Sequence, residues 1–410
     1  MLKNVNFAPE TIKHLLSLFI KMNDRLEKSP RIEVVDALRG FAVMAILLVH
    51  NLEHFIFPVY PLEPAAWLAT LDKIVFDTTF FLFAGKAYAI FALLFGFTFY
   101  IQSYNQKIKG KDFGYRFLWR LLLLAGFATL NAAFFPAGDV LMLFVVVGVI
   151  LFITRHWSDG WVMALAVVCL MQPIELYHFI ALKVNPQYML PDLNVGAMYE
   201  EVAQVTKSGD FLDFILCNIG LGQKASFLWA VNAGRMMQTG GLFLLGFLLG
   251  RRHLFLRTPE NIRFWKRILV IAAIAFVPLY ILGIHYAGTE DAALSQVAVI
   301  FDMWHKLAFT FVLISGFVLI FYGTAFRNNA GLLRLYGKMS LTNYISQSII
   351  GALIYFPIGL YLAPYCGYTV SLLIGIAVFI LQLIFCRYWL SSHKQGSLEA
   401  IWHRLTWINS

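Results

Sequence analysis

Residues 36–54 read DALRGFAVMAILLVHNLEH, an apolar stretch framed by charged and polar side chains. The chain around it has 410 residues, of which 60% are hydrophobic and 13% are charged. A soluble domain carries about a quarter charged residues and about 45–50% apolar ones. With 38 Phe, 18 Tyr and 10 Trp, the chain has too little polar surface to cover a water-soluble core. The composition excludes a soluble enzyme, a disordered protein and a secreted disulfide scaffold, and it predicts an integral membrane protein.

Ten apolar runs approach the length of about 20 residues that a helix needs to cross a bilayer. The second run contains Gly85 and Lys86, which predicts a kink or a re-entrant segment, and the fourth run is short. We therefore expect an all-α, polytopic membrane protein with about ten transmembrane helices and amphipathic terminal helices. The predicted spans cover residues 34–57, 74–104, 115–135, 139–155, 160–182, 226–250, 266–286, 299–326, 338–357 and 367–388.

The predicted spans divide the chain into three regions. Residues 1–32 are expected to form a cytoplasmic segment with an amphipathic surface helix at 11–22. Residues 33–390 form the transmembrane domain, whose acidic external loop, 183–225, is long enough to shape a site or a lid. A short helix is predicted within that loop at 195–206, and residues 391–410 form a cytoplasmic tail with an amphipathic helix at 397–407.

The distribution of positive charge indicates the orientation. If the amino terminus is cytoplasmic and the spans alternate, 23 of the 32 Lys and Arg residues face the cytoplasm and four face the outside. The positive-inside rule favours this arrangement, with both termini inside. The net charge of +9 therefore reports orientation, and no nucleic-acid partner is expected. The remaining five cations are embedded in predicted spans: Arg39, Lys86, Arg120, Arg235 and Lys306.

The first predicted span places ionisable residues on one helix face. Arg39 and His50 are eleven positions apart, which on an ideal helix is about 20° past three turns, with a rise of roughly 16 Å. Asp36 can pair with Arg39, while Glu53 and His54 follow His50 by three and four residues. Charges near the bilayer centre cost roughly 2.5–3.5 kcal/mol, which makes them functional candidates. The alternative is structural, with Arg39 snorkelling to lipid phosphates and His50 hydrogen-bonded in the core.

Three further residues each have two interpretations. Asp139, at the start of the fourth run, suits a helix N-cap, or it orients His50. Lys86 lies in the predicted break, and a broken helix at membrane depth is tolerated where it lines a cavity. Arg120 either binds a phosphate or snorkels to the interface.

The embedded residues of the second half of the chain divide between function and structure. Arg235 has no carboxylate within a helical turn, which favours a substrate or a distant partner. Lys306 has Asp302 four residues before it, which predicts a structural ion pair. Asn343 and Gln347, one turn apart, either join helices or contact substrate.

The cysteines and glycines add little to the functional prediction. The four cysteines lack metal-binding spacing, so no metal is expected. Cys217 and Cys366 fall on the same predicted side of the membrane, which leaves a disulfide between them open. Gly246 and Gly250 have the spacing of closely packed helices.

Several motifs occur in one order along nearly the whole chain. They are Asp36-Ala-Leu-Arg39-Gly40, Phe91-Ala-Leu-Leu-Phe-Gly96, Gly138-Asp139-Val-Leu141, Gly337-Lys-Met-Ser-Leu-Thr-Asn-Tyr344 with Gln347, and the closing segment from Gly396 to Trp407. Together they resemble the YeiB-like family (domain of unknown function 418). That family is grouped with the transmembrane acyltransferases, which include acyltransferase-3 and heparan glucosaminide acetyltransferase-like enzymes.

The resemblance gives the first span a specific meaning. In acyltransferase-3 proteins an Arg, ten residues and a His form the signature, and Arg39 and His50 stand at those positions. Many YeiB-like proteins have Asn where this chain has His50, so this chain is closer to the enzymatic pattern. Where relatives often carry a His eight residues before the Asp of the Gly-Asp motif, this chain has Asn131.

The resemblance implies a membrane-bound acyltransferase in the bacterial inner (plasma) membrane. We expect it to move an acyl group from a cytosolic acyl-CoA donor, such as acetyl-CoA, to a glycan or lipid-linked sugar at the external face. Histidine can act as a general base near neutral pH or carry the acyl group covalently, and Arg suits phosphate recognition. The expected residues are His50, Asp139 and Glu53 for catalysis, Arg39, Asp36, Lys86 and Arg120 for the donor, and Arg235, Asn343, Gln347 and His54 for the acceptor.

Two alternatives remain open at this point. A transporter or lipid-translocating protein without covalent chemistry also has broken helices and embedded charges. A structural or interaction protein would use the polar residues only for packing. Membrane lipids are expected partners in each case, and the oligomeric state, including a homodimer, stays open.

Overall fold

The computed structural model describes residues 32–408, and this part of the chain consists of helices and their connections, without β-strands. The all-α prediction is therefore confirmed for the described residues. The surface helix expected at 11–22 lies outside them.

The helices follow the chain from one end of the described range to the other. They are α1 (Glu33–Leu52), α2 (Ala66–Phe83), α3 (Lys86–Ile108), α4 (Gly114–Ala132), α5 (Leu141–Thr154), α6 (Asp159–Leu170), α7 (Pro173–Val184), α8 (Val195–Ser208), α9 (Phe211–Cys217), α10 (Gln223–Asn232), α11 (Arg235–Arg251), α12 (Pro259–Tyr286), α13 (Ala292–Gly323), α14 (Phe326–Asn329), α15 (Gly331–Lys338), α16 (Ser340–Tyr355), α17 (Tyr368–Ser392) and α18 (Ser397–Thr406). A π-helical turn, Asn218–Gly222, joins α9 to α10.

Five helical runs in residues 32–408 are long and apolar enough to cross a membrane. They are Ala66–Ile108, Phe211–Asn232, Pro259–Tyr286, Ala292–Gly323 and Tyr368–Ser392. A sixth is formed if α6 and α7, which meet at an angle of 49°, count as one bent span. These runs support a membrane protein. Residues 211–225, expected in the external loop, are helical and form part of one of them.

Two predicted spans are not continuous helices. The run 160–182 breaks at Gln172, which has a φ of 58°, because Pro173 has no N–H and excludes the residue before it from the helix. The run 226–250 breaks at Gly234, which has a φ of 67°. The predicted break at Gly85 is confirmed, because this glycine has a φ of 76° between α2 and α3. Glycine adopts this left-handed conformation without steric cost.

Helices α3 and α11 pack side by side and run in the same direction. The Tyr88 hydroxyl near the start of α3 contacts Thr239 near the start of α11. Further along both helices, a Cβ on Gly246 would overlap the carbonyl oxygen of Leu93. The close packing predicted from the glycine spacing is therefore confirmed at Gly246, and the amino-terminal ends of the two helices lie together.

The carboxyl-terminal helix α18 joins α16 through reciprocal capping. Glu399 accepts hydrogen bonds from the backbone amides of Leu341 (2.7 Å) and Thr342 (3.1 Å), and from the Thr342 hydroxyl (2.6 Å). In return, the Thr342 hydroxyl oxygen accepts a hydrogen bond from the backbone amide of Leu398 at 3.1 Å. Each helix therefore satisfies backbone amides that the first turn of the other leaves unpaired.

Candidate functional site

A cavity of about 720 Å³ lies where the end of α1 meets the breaks in two other helices. His50 and Glu53 line it from the last turn of α1, and Gly85 lines it from the break between α2 and α3. Arg235 and Lys306 line it from α11 and α13. Residues from four distant parts of the sequence therefore converge on one space, and we call it the central cavity.

His50 and Glu53 form a pair at the wall of the central cavity. His50 Nδ1 is 3.4 Å from Glu53 Oε2, a contact that the spacing of three residues on α1 makes possible. The edge of the imidazole packs against Phe135, with ring centroids 4.7 Å apart. Since Nδ1 is the atom directed to the carboxylate, Nε2 is available to a molecule in the cavity.

The polar stripe predicted for α1 ends before His54. His54, Phe55 and Ile56 have φ angles of 45°, 54° and 65°, a left-handed turn that is rare for residues other than glycine. His54 is fully buried in this turn, and its Nε2 lies 2.7 Å from Ser371 Oγ. Its ring stacks on Tyr355 at 4.4 Å. His54, expected to contact the acceptor, connects the end of α1 to α17 and does not line the central cavity.

Lys306 and Arg235 supply positive charge to the central cavity. Lys306 Nζ is 2.5 Å from Asp302 Oδ2, which confirms the predicted pair within α13. Arg235 lies over the rings of Trp229 and Tyr88, with its guanidinium carbon 4.7 and 5.1 Å from their centroids. Within residues 32–408, Arg235 has no carboxylate at ion-pair distance, and its Nε is buried without a hydrogen-bond partner.

Helix α8 covers one side of the central cavity through Val195, Gly196 and Tyr199. The short helix predicted at 195–206 is thus confirmed, and the loop that carries it shapes the cavity as expected. The Tyr199 hydroxyl donates a hydrogen bond to the carbonyl oxygen of Ala137 at 2.9 Å, which fixes α8 in place. Burial raises the pKa of Tyr199 to about 12, and the negative charge of Glu53 adds to the shift.

Asp139 lies just before α5 and caps its amino-terminal end. Its Oδ1 accepts hydrogen bonds from the backbone amide of Leu141 at 3.1 Å and from Asn131 Nδ2 at 2.9 Å. Val140 is the N-cap residue of α5, and Asp139, one position before it, binds the first backbone amide of the helix through one oxygen. The other, Oδ2, is buried without a hydrogen-bond partner, as is the hydroxyl of Tyr344, which lines the central cavity. No hydrogen bond or ion pair joins Asp139 to His50.

The residues expected to hold the donor lie in separate places. Arg39 donates hydrogen bonds to Asp36 Oδ1 at 3.3 Å and to Thr98 Oγ1 at 3.0 Å, and it does not line the central cavity. Asp36 lines a second pocket, of about 660 Å³, at the opposite end of α1. The spacing predicted that Arg39 and His50 lie far apart along the helix, and the two pockets lie at its two ends.

Lys86 and Arg120 each have a local structural partner. Lys86 Nζ donates to the carbonyl oxygen of Phe81 at 2.8 Å, which satisfies the end of α2. The guanidinium carbon of Arg120 is 4.2 Å from the centroid of the Trp402 ring. Arg120 also lines a third pocket, of about 510 Å³, beside α18. Neither residue lines the central cavity.

Asn343 and Gln347 on α16 have different surroundings. Asn343 Nδ2 donates to the carbonyl oxygen of Tyr336 at 3.0 Å, and the Asn343 carbonyl accepts from Gln382 Nε2 at 3.1 Å. These bonds join helices, which is the structural interpretation. Gln347 is fully buried and both of its side-chain polar atoms lack a hydrogen-bond partner.

Neither cysteine considered for a disulfide is paired, because Cys217 and Cys366 are both free thiols.

The second pocket contains residues that sequence reasoning did not select. Arg334, Lys338 and Arg387 line it together with Asp36. Arg334 Nη1 is 2.7 Å from Glu33 Oε1, so part of its charge is balanced by α1. The available signal was the cluster of cations after residue 326, which the positive-inside rule explained by orientation alone.

Comparisons with known proteins agree with the resemblance seen in the motifs. Residues 249–409 match the family "Protein of unknown function (DUF418)". The chain is 25% identical to "Uncharacterized protein YxaH" of Bacillus subtilis (strain 168) over 404 residues, which covers 92% of this chain and 95% of that protein. It is 24% identical to "Uncharacterized protein YeiB" of Escherichia coli (strain K12), over 91% of this chain and 95% of that protein. No solved structure matches. The chain is therefore similar to YeiB-like proteins over nearly its whole length, and its carboxyl-terminal part matches the DUF418 family.

Proposed function

We propose that the protein is an acyltransferase of the bacterial inner (plasma) membrane, with about ten spans and both termini in the cytoplasm. It transfers an acyl group from a cytosolic acyl-CoA, such as acetyl-CoA, to a glycan or lipid-linked acceptor at the external face. The observation that carries the proposal is the His50–Glu53 pair at the wall of a cavity of about 720 Å³. A cavity of this size accommodates a small-molecule ligand.

The pair supplies the proton transfer that acylation requires. His50 Nε2 accepts the proton of the acceptor hydroxyl or amine as that oxygen or nitrogen attacks the thioester carbonyl carbon. The carbon–sulfur bond then breaks, and the departing thiolate takes the proton from His50. Glu53, 3.4 Å from Nδ1, holds the imidazole in the tautomer with a free Nε2 and balances its positive charge in between.

The pocket at the other end of α1 suits the donor. Arg334, Lys338 and Arg387 line it, and cationic side chains bind the phosphates of a nucleotide-type donor. Arg39 lies beside it through its bond to Asp36. The roughly 16 Å that separate Arg39 from His50 along α1 would be bridged by the extended thioester arm of the donor. This arrangement requires a passage between the two pockets when the donor is bound.

Transport is the second candidate function. The supporting observation is that two helix breaks, at Gly85 and Gly234, lie together beside embedded cations, and discontinuous helices form substrate sites in many transporters. A transporter would move its substrate without forming a new covalent bond, so the two candidates differ in their products.

The test uses the full-length protein in lipid nanodiscs with acetyl-CoA labelled in the acetyl group. We expect release of free thiol and labelled acceptor in the presence of bacterial membrane lipids and glycans. Replacing His50 with alanine should lower the rate about 100-fold or more. His156→Ala, at an exposed histidine, is the matched control and should leave the rate unchanged. Wild-type protein that neither binds nor cleaves acetyl-CoA, or a His50→Ala rate equal to that of wild type, would refute the proposal.

A further inference from the structure

We propose that Arg235 and Lys306 form a site in the central cavity for the phosphate group of a lipid. The inference rests on the proposed function for the reaction, because it names the class of the acceptor as a lipid that carries a phosphate ester.

Arg235 is oriented for an anion that the chain itself does not provide. Trp229 and Tyr88 hold the flat guanidinium group by ring contacts at 4.7 and 5.1 Å. Ring contacts stabilise the charge but leave the N–H donors in the guanidinium plane without acceptors. No carboxylate within residues 32–408 lies at ion-pair distance from Arg235. A planar fork of N–H donors matches the oxygen atoms of a phosphate.

Lys306 places a second cation beside the first. A Cβ on Gly85 would lie 2.9 Å from Lys306 Cδ and 3.7 Å from Arg235 Nη2, so both side chains border the same point of the break. Asp302 balances only Lys306, and its remaining oxygen is 3.2 Å from His305 Nε2. Next to Gly85, Asp302 therefore offsets Lys306, whereas Arg235 has no ion-pair partner within residues 32–408.

Two helix amino-terminal ends add to this positive potential. Gly85 and Gly234 both adopt the left-handed conformation directly before a cation, Lys86 in α3 and Arg235 in α11. Neither helix start has a side-chain cap. Because α3 and α11 are parallel, their unpaired backbone amides and positive dipole ends lie on the same side. Each end is equivalent to about half a positive charge, which together with two cations suits a phosphate better than a carboxylate.

The rest of the cavity suits a hydrocarbon chain. Its apolar walls include Ile46, Val49, Phe83 and Val140. Free phosphate would leave these walls without a partner, whereas a lipid chain attached to the phosphate would cover them. The combination of a cationic end and apolar walls points to a lipid phosphate as the ligand.

The experiment measures binding of farnesyl phosphate, farnesol and inorganic phosphate to the purified full-length protein in detergent. We expect farnesyl phosphate to bind about tenfold or more tightly than either farnesol or inorganic phosphate. Arg235→Gln should weaken farnesyl phosphate binding about tenfold or more while leaving farnesol binding unchanged. Unchanged farnesol binding also shows that the variant is folded.

The matched control is Arg263→Gln, an exposed arginine of α12 that pairs with Glu260. It should bind farnesyl phosphate as wild type does. Equal affinity for farnesyl phosphate and farnesol would overturn the phosphate site, as would an unchanged affinity in Arg235→Gln. Inorganic phosphate that binds as tightly as farnesyl phosphate would overturn the assignment to a lipid and identify free phosphate as the ligand.

His50→Ala separates this inference from the proposed function. The variant should keep the preference of about tenfold for farnesyl phosphate over farnesol, which Arg235 provides, while losing acyl transfer. If wild-type protein transfers no acyl group but binds farnesyl phosphate through Arg235, the acyltransferase proposal is refuted and the lipid-phosphate site stands. Equal binding of farnesyl phosphate by wild type and Arg235→Gln, with acyl transfer retained in wild type, would refute the lipid-phosphate site and leave the acyltransferase proposal intact.

Discussion

Replacing Glu399 with alanine removes the contacts by which α18 caps α16. The carboxylate accepts hydrogen bonds from the amide of Leu341 (2.7 Å), the amide of Thr342 (3.1 Å) and the Thr342 hydroxyl (2.6 Å). Alanine supplies no acceptor, so two backbone amides in the first turn of α16 lose their partner inside the protein.

The size of the effect follows from these contacts. Removing an N-cap side chain costs about 0.5–2 kcal/mol, and a buried donor left unsatisfied costs about 1–3 kcal/mol. We therefore expect Glu399→Ala to lower the free energy of unfolding by about 2–4 kcal/mol. Glu399→Gln keeps one acceptor oxygen and can donate to the Thr342 hydroxyl, so it should cost less, about 1 kcal/mol.

The effect of Glu399 also depends on pH. Burial raises the pKa of its carboxyl group above the ordinary value, although the hydrogen bonds from Thr342 and Leu341 oppose the shift. A carboxyl group with a raised pKa binds its proton more tightly in the folded chain, so stability falls as the pH rises from the ordinary to the raised value. Glu399→Gln does not titrate. Its deficit relative to wild type should therefore shrink as the pH rises through that interval.

The assay is thermal unfolding of the purified full-length protein in detergent, followed by intrinsic fluorescence. Glu399→Ala should lower the midpoint by about 4–8 °C. Glu260→Ala is the control, since Glu260 and Arg263 form an exposed pair with 69% and 67% of their side chains accessible, and such pairs contribute about 0–1 kcal/mol. Equal midpoints for Glu399→Ala and Glu260→Ala would refute the capping role.

Three further predictions concern the site and its support. Glu53→Gln should slow acyl transfer about 10- to 100-fold, because the imidazolium loses about 1.4–2.8 kcal/mol of electrostatic stabilisation. Single-turnover measurements with labelled acetyl-CoA should show a smaller loss of rate than in His50→Ala, and equal rates in the two variants would contradict the prediction. Gly246→Ala should lower the yield of monodisperse protein in size-exclusion chromatography because its Cβ overlaps a backbone oxygen, whereas Gly126→Ala, with no atom within 4 Å, should not. Trp402→Ala should lower the unfolding midpoint by about 2–8 °C through loss of the arginine contact and buried ring area, and an unchanged midpoint would show that the tail helix is held otherwise.

The sequence predicted the local features of the fold well. The Lys306–Asp302 pair depends only on a separation of four residues in a helix, and the break at Gly85 depends on a glycine followed by a lysine within an apolar run. Both could be predicted because the determinants lie within one turn of the chain. The break before Pro173 had the same kind of signal, but the apolar composition of the surrounding run concealed it.

The sequence was less informative where distant elements meet. His54 was expected on the same face as His50, but its contact with Ser371, which lies 317 residues away, accompanies a left-handed turn that helical periodicity does not encode. The meeting of Arg235 with Lys306 at the break also depends on the packing of α11 and α13 against α3. Spacing within a segment identified both cations as unusual, but only the tertiary structure brings them to one cavity.

The reciprocal caps between α16 and α18 have a consequence for biosynthesis. Helix α18 leaves the ribosome after every other described helix. The backbone amides in the first turn of α16 therefore lack the Glu399 carboxylate until α18 has been synthesised. Helix α16 carries Tyr344, which lines the central cavity, and Gln347, which is fully buried. A nascent chain that ends before Glu399 would therefore lack the acceptor for two backbone amides of α16, the helix that lies beside the cavity. Capping of α16, which contributes Tyr344 to the central cavity, thus depends on synthesis of α18.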